Sequence, residues 1–338
     1  MFDALSLPIL IALFALGAAV VVACGAMLTS RADRLADATG LGEAVVGGLM
    51  LGAATSLPGI VATVTAALDG LPSLALSNAV GGIAVQTLFL VVADLAYRRA
   101  NLEHAAADAG NLISSGALIL MLSCALAAGF APAFTIFSVH PVSLLLFAIY
   151  FVAMRRAVQL ADTPMWTPRA TPHTRDDEPD EDAARQPILP LVASSLALGL
   201  VVAVAGWLLA KTGTGIAREA GLSQSLVGAL MIAVVTSLPE LVTTLAAVRR
   251  GALQLAVGGI IGGNAFDALF LSLGDIAYRD GSLYHAVGND DRFVMATALA
   301  MTAALLLGLI MRDRKGIGLE GGAIAGLYAM MVFVQLNR

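Results

Sequence analysis

The second half of this chain repeats the first. When residues 221–286 are shifted back by 181 positions, they align with residues 40–105 without a gap, and 29 of the 66 aligned positions are identical. Apolar sequence of low complexity would match alanine to alanine by chance, but it would not keep proline, aspartate, tyrosine, arginine and histidine in register. Such identities fall at Pro58/Pro239, Asp94/Asp275, Tyr97/Tyr278, Arg98/Arg279 and His104/His285. The chain therefore contains two copies of one structural unit.

Composition places both copies in a membrane. Of the 338 residues, 59% are hydrophobic and 13% are charged, whereas soluble domains carry about 25% charged residues. The predicted fold class is an all-α polytopic membrane protein with ten transmembrane helices, because ten segments have the roughly 20 predominantly apolar residues that a membrane helix needs. These segments are 7–29, 43–68, 73–98, 111–130, 133–155, 188–210, 223–248, 254–278, 292–311 and 317–336.

The ten segments fall into two groups of five. The first repeat covers residues 1–155, the second covers residues 188–338, and an acidic linker, residues 156–187, lies between them. Because each repeat has an odd number of spans, the second crosses the membrane in the opposite sense. Such an inverted repeat is the architecture of many secondary transporters. The linker is rich in Pro, Asp, Glu and Thr, which predicts a solvated segment without a packed core.

The distribution of Lys and Arg predicts the orientation. With the N-terminus outside, 14 of the 19 Lys and Arg residues fall in the inside loops and the linker, as the enrichment of basic residues on the cytoplasmic side requires. We therefore expect both termini outside, the linker in the cytoplasm and the chain in the bacterial inner membrane. The start MFDALSLPIL lacks a positive region, so we interpret it as part of a first membrane helix rather than a cleaved signal.

Other functional classes find no support in the sequence. Basic residues are scattered in ones to threes, so we expect no nucleic-acid partner. Cys24 and Cys124 lie in apolar runs without the spacing of a disulfide framework or a metal site. The sequence has no nucleophile–base set and no cofactor motif, which predicts neither an enzyme nor a bound cofactor. It leaves the oligomeric state open.

Each repeat carries the motif TSLP in the middle of an apolar span. Proline cannot donate a backbone hydrogen bond, so Pro58 and Pro239 each free carbonyl groups one turn earlier, and we expect both helices to bend there. In the second repeat Glu240 lies on the same helical face as Thr236 and Ser237. Together these groups are hard oxygen ligands of the kind that suits Ca²⁺ and Na⁺. The alternative is a structural proline kink whose hydroxyls bond back to their own helix.

The next span of each repeat is rich in glycine and carries one polar side chain at the matching position. NAVGGIAVQ ends at Gln86, and GIIGGNAFD ends at Asp267. Acids inside a membrane are usually functional, so we interpret Asp267 as a cation ligand. The alternatives are a structural pairing of the Asp267 carboxylate and, for Gln86, a hydrogen bond between helices.

Further polar residues mark the ends of the spans. Asp94 and Asp275 each precede a Tyr and an Arg, which are typical of the membrane interface. We expect both acids to play a structural role and to meet water or the arginine four residues later; the alternative is a role in ion entry. We expect His285 to be solvated in a loop and His140 to mark the start of a span.

The chain resembles the sodium/calcium exchanger family of the cation/calcium antiporter superfamily. The resemblance rests on the two TSLP motifs, the sequence GGNAFD at 262–267, the ten spans and the linker. In that family, side chains and carbonyls of both repeats form a central group of cation sites. The resemblance implies Gln86 at one polar corner of the site. It implies as cation ligands Thr55, Ser56, Thr236, Ser237, Glu240 and Asp267.

The chain departs from the family pattern within this site. The departures are Gly59 in place of the first-repeat glutamate, Gly82 and Gly263 in place of serines, and Gln86 in place of Asn or Asp. Glu240 and Asp267 then supply the whole formal charge of the site, which is enough for one divalent ion or two monovalent ions.

Three hypotheses follow for the function. The first is a secondary active cation antiporter that works by alternating access, with spans 1 and 6 moving against the core, and exchanges Ca²⁺ or a related cation for Na⁺ or H⁺. The second is the same scaffold moving a different monovalent, divalent or organic cation, because the missing side chain at position 59 opens space. The third is a degenerate, non-exchanging or channel-like membrane protein. The expected partners are inorganic cations and the lipid bilayer.

Overall fold

The computed structural model describes residues 2, 5–39, 48–97, 102, 109–161, 188–311 and 318–337. The regular elements within these ranges are helices, as the sequence predicts. Most of the predicted linker, residues 162–187, lies outside the described residues, and so do His104 and the basic residues of several predicted inside loops.

Within the described ranges of the first half lie five long helices. They are α1 (Leu7–Thr39), α2 (Gly48–Leu68), α3 (Pro72–Tyr97), α4 (Ala109–Ala128) and α5 (Pro141–Ala161). The second half begins with α6 (Ile188–Ala220). It continues with α7 (Gln224–Thr236), which includes a π-helical turn at Val227–Ile232, then α8 (Leu238–Arg250), α9 (Leu253–Asp267), α10 (Leu269–Ala277), the short α11 (Leu283–Ala286), α12 (Asn289–Met311) and α13 (Leu319–Leu336).

With α9 and α10 counted together as one span, seven helical segments in the described part of the chain are long and apolar enough to cross a membrane, or eight if the bent pair α7 and α8 also forms one span. The most buried lie at the centre of the bundle. Of the apolar part of α3, 78% is buried, and for the span formed by α9 and α10 the value is 72%, against 17% for α1 and for α6. The core therefore consists of the glycine-rich spans, and α1 and α6 lie at the periphery.

The two TSLP segments are not equally broken. In the second repeat the helix stops at Thr236, resumes at Leu238 and bends by 43°. Pro239 lies in the first turn of the new helix, where a missing N–H removes no hydrogen bond. In the first repeat α2 runs through Pro58 as one helix. The expected bend is therefore present in the second repeat, whereas in the first repeat the proline lies inside a continuous helix.

The peripheral helices contact the core through glycines that touch the TSLP prolines. A Cβ on Gly25 of α1 would lie 2.7 Å from Cγ of Pro239, and a Cβ on Gly206 of α6 would lie 2.5 Å from the carbonyl oxygen of Pro58. The two glycines are separated by the same 181 positions as the repeat. Each peripheral helix thus packs against the proline of the opposite repeat, and the internal symmetry extends beyond the 66 aligned residues.

A buried hydrogen-bond chain joins the ends of four helices. The Asp291 Oδ1 of α12 accepts from Ser73 and Ser77 of α3, at 2.6 and 2.7 Å. The Ser77 hydroxyl lies 3.0 Å from that of Ser225 on α7, which in turn accepts from the Gln335 amide of α13 at 3.2 Å. Only 2% of Asp291 is exposed. The Asp291 carboxylate is the acceptor at the end of this hydrogen-bond chain. Loss of the carboxylate would therefore leave several buried donors without an acceptor.

We expect Asp291→Ala to lower the free energy of unfolding by about 1–3 kcal/mol, the cost of leaving buried polar groups unsatisfied. The measurement is the melting temperature of the purified protein in detergent. Asp280→Ala is the matched control, because Asp280 is an exposed aspartate. Equal melting temperatures for the two variants would show that the chain does not hold these helices together.

Candidate cation site

Four segments bring the predicted ligands together at the centre of the bundle. They are the middle of α2, the middle of α3, the break between α7 and α8, and the end of α9. Each of the seven side chains is at most 6% exposed. The set comprises Thr55, Ser56, Gln86, Thr236, Ser237, Glu240 and Asp267.

Asp267 binds side chains of the first repeat. Its Oδ1 accepts from the Ser56 hydroxyl at 2.5 Å, and its Oδ2 accepts from Nε2 of Gln86 at 2.7 Å. The same Nε2 lies 3.3 Å from Oγ of Ser237. These bonds join the TSLP motifs and the glycine-rich spans of both repeats at one carboxylate.

Glu240 is the second buried acid of the site. Its carboxylate hydrogen-bonds to the Thr55 hydroxyl, which also lies 3.0 Å from the carbonyl oxygen of Gly52. A hydroxyl has one proton, so these two bonds are alternatives. Within the described part of the chain, Oε2 of Glu240 has no hydrogen-bond partner. A buried carboxylate oxygen without a partner is costly, and a bound cation would offset that cost.

The threonine hydroxyls also bond back to their own helices. Thr55 donates to the carbonyl of Gly52, and Thr236 donates to the carbonyl of Ala233 at 3.3 Å. The structural alternative raised for the TSLP motif is therefore present in both repeats. It does not exclude a ligand role, because back-bonding uses the hydroxyl proton and leaves the oxygen lone pairs available.

Two glycines provide room beside these oxygens. A Cβ on Gly82 would lie 3.6 Å from Oγ of Ser237 and 3.9 Å from Oδ2 of Asp267, and a Cβ on Gly263 would lie 3.5 Å from Oε1 of Gln86. These are ordinary van der Waals distances, so a methyl group would fit at both positions. The two glycines therefore leave free volume next to the Asp267 carboxylate.

The position of the missing glutamate is filled. A Cβ on Gly59 would lie 2.9 Å from Cε2 of Phe270. The expectation that the lost side chain opens space for a larger or organic cation is therefore wrong. Sequence reasoning missed Phe270, although its identity with Phe89 in the aligned repeat could have drawn attention to it.

The acids at the span ends are more buried than expected. Asp275 is 0% exposed and Asp94 is 6% exposed. Asp275 accepts from the backbone N–H of Leu283 at 2.8 Å, and Asp94 accepts from that of Leu102 at 3.1 Å. Both residues therefore cap the backbone eight residues later, in a structural role. The expectation that Asp275 meets water or Arg279 is wrong, because Arg279 donates to the carbonyl of Ile276 instead.

The two described histidines lie at this same end of the bundle. His140 precedes the first residue of α5, as predicted, and its backbone N–H donates to Asp275 at 2.8 Å. His285 is half-buried, with Nε2 2.7 Å from the carbonyl oxygen of Ala131 and its ring centroid 5.5 Å from that of His140. His285 is therefore less solvated than expected.

The chain matches the sequence model of a known protein family. The sequence model of the family described as sodium/calcium exchanger protein matches residues 9–157 and 190–337. The chain belongs to the sodium/calcium exchanger family. This is a family of membrane transporters, which confirms the expectations of an integral membrane protein and of a function other than catalysis.

Two bacterial relatives align with this exchanger-family chain. "Putative antiporter CaxA" of Alkalimonas amylolytica is 37% identical over 141 residues, which are 41% of this chain and 42% of that protein. The chain thus spans less than half the length of this relative. "Inner membrane protein YrbG" of Escherichia coli K12 is 26% identical over 344 residues, covering 96% of this chain and 97% of that protein.

Solved structures share the fold. The H⁺/Ca²⁺ exchanger CAX has a TM-score of 0.71 at 15% identity and covers 97% of this chain and 82% of its own. YfkE has a TM-score of 0.66 at 16% identity, covering 100% and 99%. The sodium-calcium exchanger NCX_Mj has a TM-score of 0.61 at 19% identity, covering 97% and 99%. At these identities the likeness shows a common fold.

Gly81 and Gly82, which are adjacent in α3, should tolerate an added methyl group to different extents. A Cβ on Gly81 would lie 2.5 Å from the Cα of Ala229 on α7, so Gly81→Ala should cost about 1–3 kcal/mol through overpacking. Gly82→Ala places its methyl group in the free volume of the site, and we expect the melting temperature to stay near that of the wild type. Similar melting temperatures for the two variants would contradict this packing.

Proposed function

We propose that the chain is a secondary active cation antiporter that exchanges Ca²⁺ or a related cation for Na⁺ or H⁺ by alternating access. The observation that carries the proposal is the buried group formed by Asp267 and Glu240 with hydroxyls from both repeats. Its donor atoms are oxygens, which suit hard cations. Within the described ranges, no group of three or more His, Cys, Asp or Glu residues is arranged to hold a metal ion, so hydroxyl and amide groups complete the donor set.

Each side chain has a role in this proposal. Glu240 and Asp267 bind the cation, and Ser56, Ser237 and the two threonines supply neutral oxygens. Gln86 holds Oδ2 of Asp267 through its amide N–H and so fixes the orientation of the carboxylate. Among the described residues, no Lys or Arg hydrogen-bonds to either acid, which leaves their charge for the transported ions. One divalent cation or two protons would neutralise the pair.

The scaffold of the proposal is a bundle of ten spans in two inverted repeats of five. Its support is the sequence repeat and the paired contacts of Gly25 with Pro239 and of Gly206 with Pro58. The helix order supports it as well, because α1–α5 match α6, α7–α8, α9–α10, α12 and α13. In this scheme α1 and α6 move together against the core and expose the site to one side of the membrane at a time. Glycine at both crossings lets each moving helix approach its proline closely.

The proposed ions follow from the charge and from the relatives. CAX is described as an H⁺/Ca²⁺ exchanger and NCX_Mj as a sodium-calcium exchanger. Two carboxylates close together in a medium of low dielectric do not both ionise readily, which makes H⁺ a natural exchange partner. The departures at Gly59 and Gln86 favour, as a second candidate, the same scaffold moving another monovalent or divalent cation.

We expect Glu240→Gln and Asp267→Asn each to reduce cation exchange in proteoliposomes by at least about tenfold, since a lost charge–ion contact exceeds the 1.4 kcal/mol that this factor represents. The assay follows Ca²⁺ uptake driven by opposed Na⁺ or H⁺ gradients. Uptake of Mg²⁺ and Mn²⁺ in the same vesicles tests the second candidate.

Glu219→Gln is the matched control for these variants, because Glu219 is an exposed acid of α6. A Ca²⁺ gradient that moves neither Na⁺ nor H⁺ would sink the exchange proposal. Unchanged cation binding in Glu240→Gln would instead favour a degenerate site.

The proposed orientation has a separate test. Alkaline phosphatase fused after Arg338 should be active, because that enzyme matures outside the cytoplasm, and green fluorescent protein at the same place should be dark. Green fluorescent protein inserted in the linker, residues 162–187, should fluoresce. The reverse pattern would place the termini in the cytoplasm.

A further inference from the structure

An aromatic ring occupies the place of the side chain that this site lacks. A Cβ on Gly59 would lie 2.9 Å from Cε2 and 3.6 Å from Cζ of Phe270. Real Cβ contacts are not this short, so the present position of the ring and any side chain at position 59 exclude each other. Phe270 is 4% exposed, which means that its ring fills interior space.

In the repeat, Gly59 of the first copy corresponds to Glu240 of the second. Gly59 follows Ser56 by three residues, as Glu240 follows Ser237. Ser56 donates to Asp267, and Gln86 joins Asp267 to Ser237. A side chain at position 59 would therefore border the ligand set from the first repeat, as Glu240 does from the second.

The Phe270 ring packs against Phe266, which in turn packs against Tyr150. The Phe266 ring centroid lies 6.3 Å from that of Phe270 with the planes at 89°, and the Tyr150 ring lies 6.0 Å from that of Phe266 at 69°. Such edge-to-face arrangements are favourable aromatic contacts. They form a row from α5 to α10, so Phe270 cannot swing away without disturbing its neighbours.

We infer that Phe270 is a specificity-determining residue that closes the first-repeat half of the site, so that the site takes a single divalent cation and no second ion beside it. The inference rests on the proposed function. Glu240 and Asp267 balance the charge of one divalent cation. A monovalent ion bound beside that divalent cation would leave an uncompensated positive charge in a medium of low dielectric, which is costly. The remaining free volume, next to Gly82 and Gly263, lies beside the Asp267 carboxylate and the Gln86 amide.

Equilibrium binding of radioactive calcium and radioactive sodium to the purified protein tests the inference. The wild type should bind one Ca²⁺ per chain, and Na⁺ should only compete with it. Gly59→Glu combined with Phe270→Ala adds a third carboxylate and removes the ring, and this double variant should bind Na⁺ together with Ca²⁺. Gly59→Glu alone should melt at a lower temperature and gain no Na⁺ site.

Phe89→Ala is the matched control, because Phe89 is the repeat counterpart of Phe270 and is 6% exposed. It removes an aromatic side chain of equal size and similar burial, and it should keep the wild-type stoichiometry. If Gly59→Glu with Phe270→Ala does not fold, Gly59→Glu with Phe270→Leu takes its place, and the wild-type stoichiometry remains an independent measurement.

The outcomes separate this inference from the proposed function. Simultaneous binding of Ca²⁺ and Na⁺ by the wild type, or a folded double variant with wild-type stoichiometry, would overturn the role of Phe270 and leave the antiporter proposal intact. A wild type that binds neither ion, with Glu240→Gln behaving identically, would overturn the function and the inference together.

Discussion

Two carboxylates buried in an apolar helix bundle dictate the arrangement around them. An isolated buried charge is costly, so it must be paired or hydrogen-bonded. Asp267 meets this requirement with donors from the other repeat, the hydroxyl of Ser56 and the amide of Gln86. Glu240 reaches the hydroxyl of Thr55 and keeps one oxygen without a donor among the described residues. The charge of the second repeat thus depends on the first, and the two halves must face each other for either acid to be accommodated.

The distribution of charge coincides with the distribution of helix breaks. Both acids belong to the second repeat, and both core spans of that repeat are interrupted beside them: α7 gives way to α8 at Ser237, and α9 ends at Asp267 itself. In the first repeat, where glycine and glutamine stand at the matching positions, α2 and α3 run without interruption. An interrupted helix leaves backbone groups free to share in ion binding. The breaks therefore lie where such groups would be of use, in the repeat that carries both acids.

The clustering of the candidate ligands could be predicted from the sequence because the repeat carries their motifs twice. TSLP and the glycine-rich span recur at the same spacing, and the predicted span 73–98 differs from α3 by one residue at each end. Three features could not be predicted, since each depends on packing between distant segments. Phe270 fills the space at Gly59, α2 continues through Pro58, and Asp275 turns away from its nearby arginine toward backbone N–H groups.

The TSLP prolines connect the candidate cation site to helix packing. Pro58 follows Thr55 and Ser56 within one turn, and its carbonyl oxygen is also the surface that Gly206 of α6 touches. Pro239 and Gly25 of α1 repeat this contact on the opposite copy. In the proposed transport cycle, a shift of either TSLP segment would act directly on the helix packed against it, because a glycine crossing has no flexible side chain to absorb the movement. In an alternating-access transporter this contact would let occupancy of the site bias the position of α1 and α6 without a separate relay of residues.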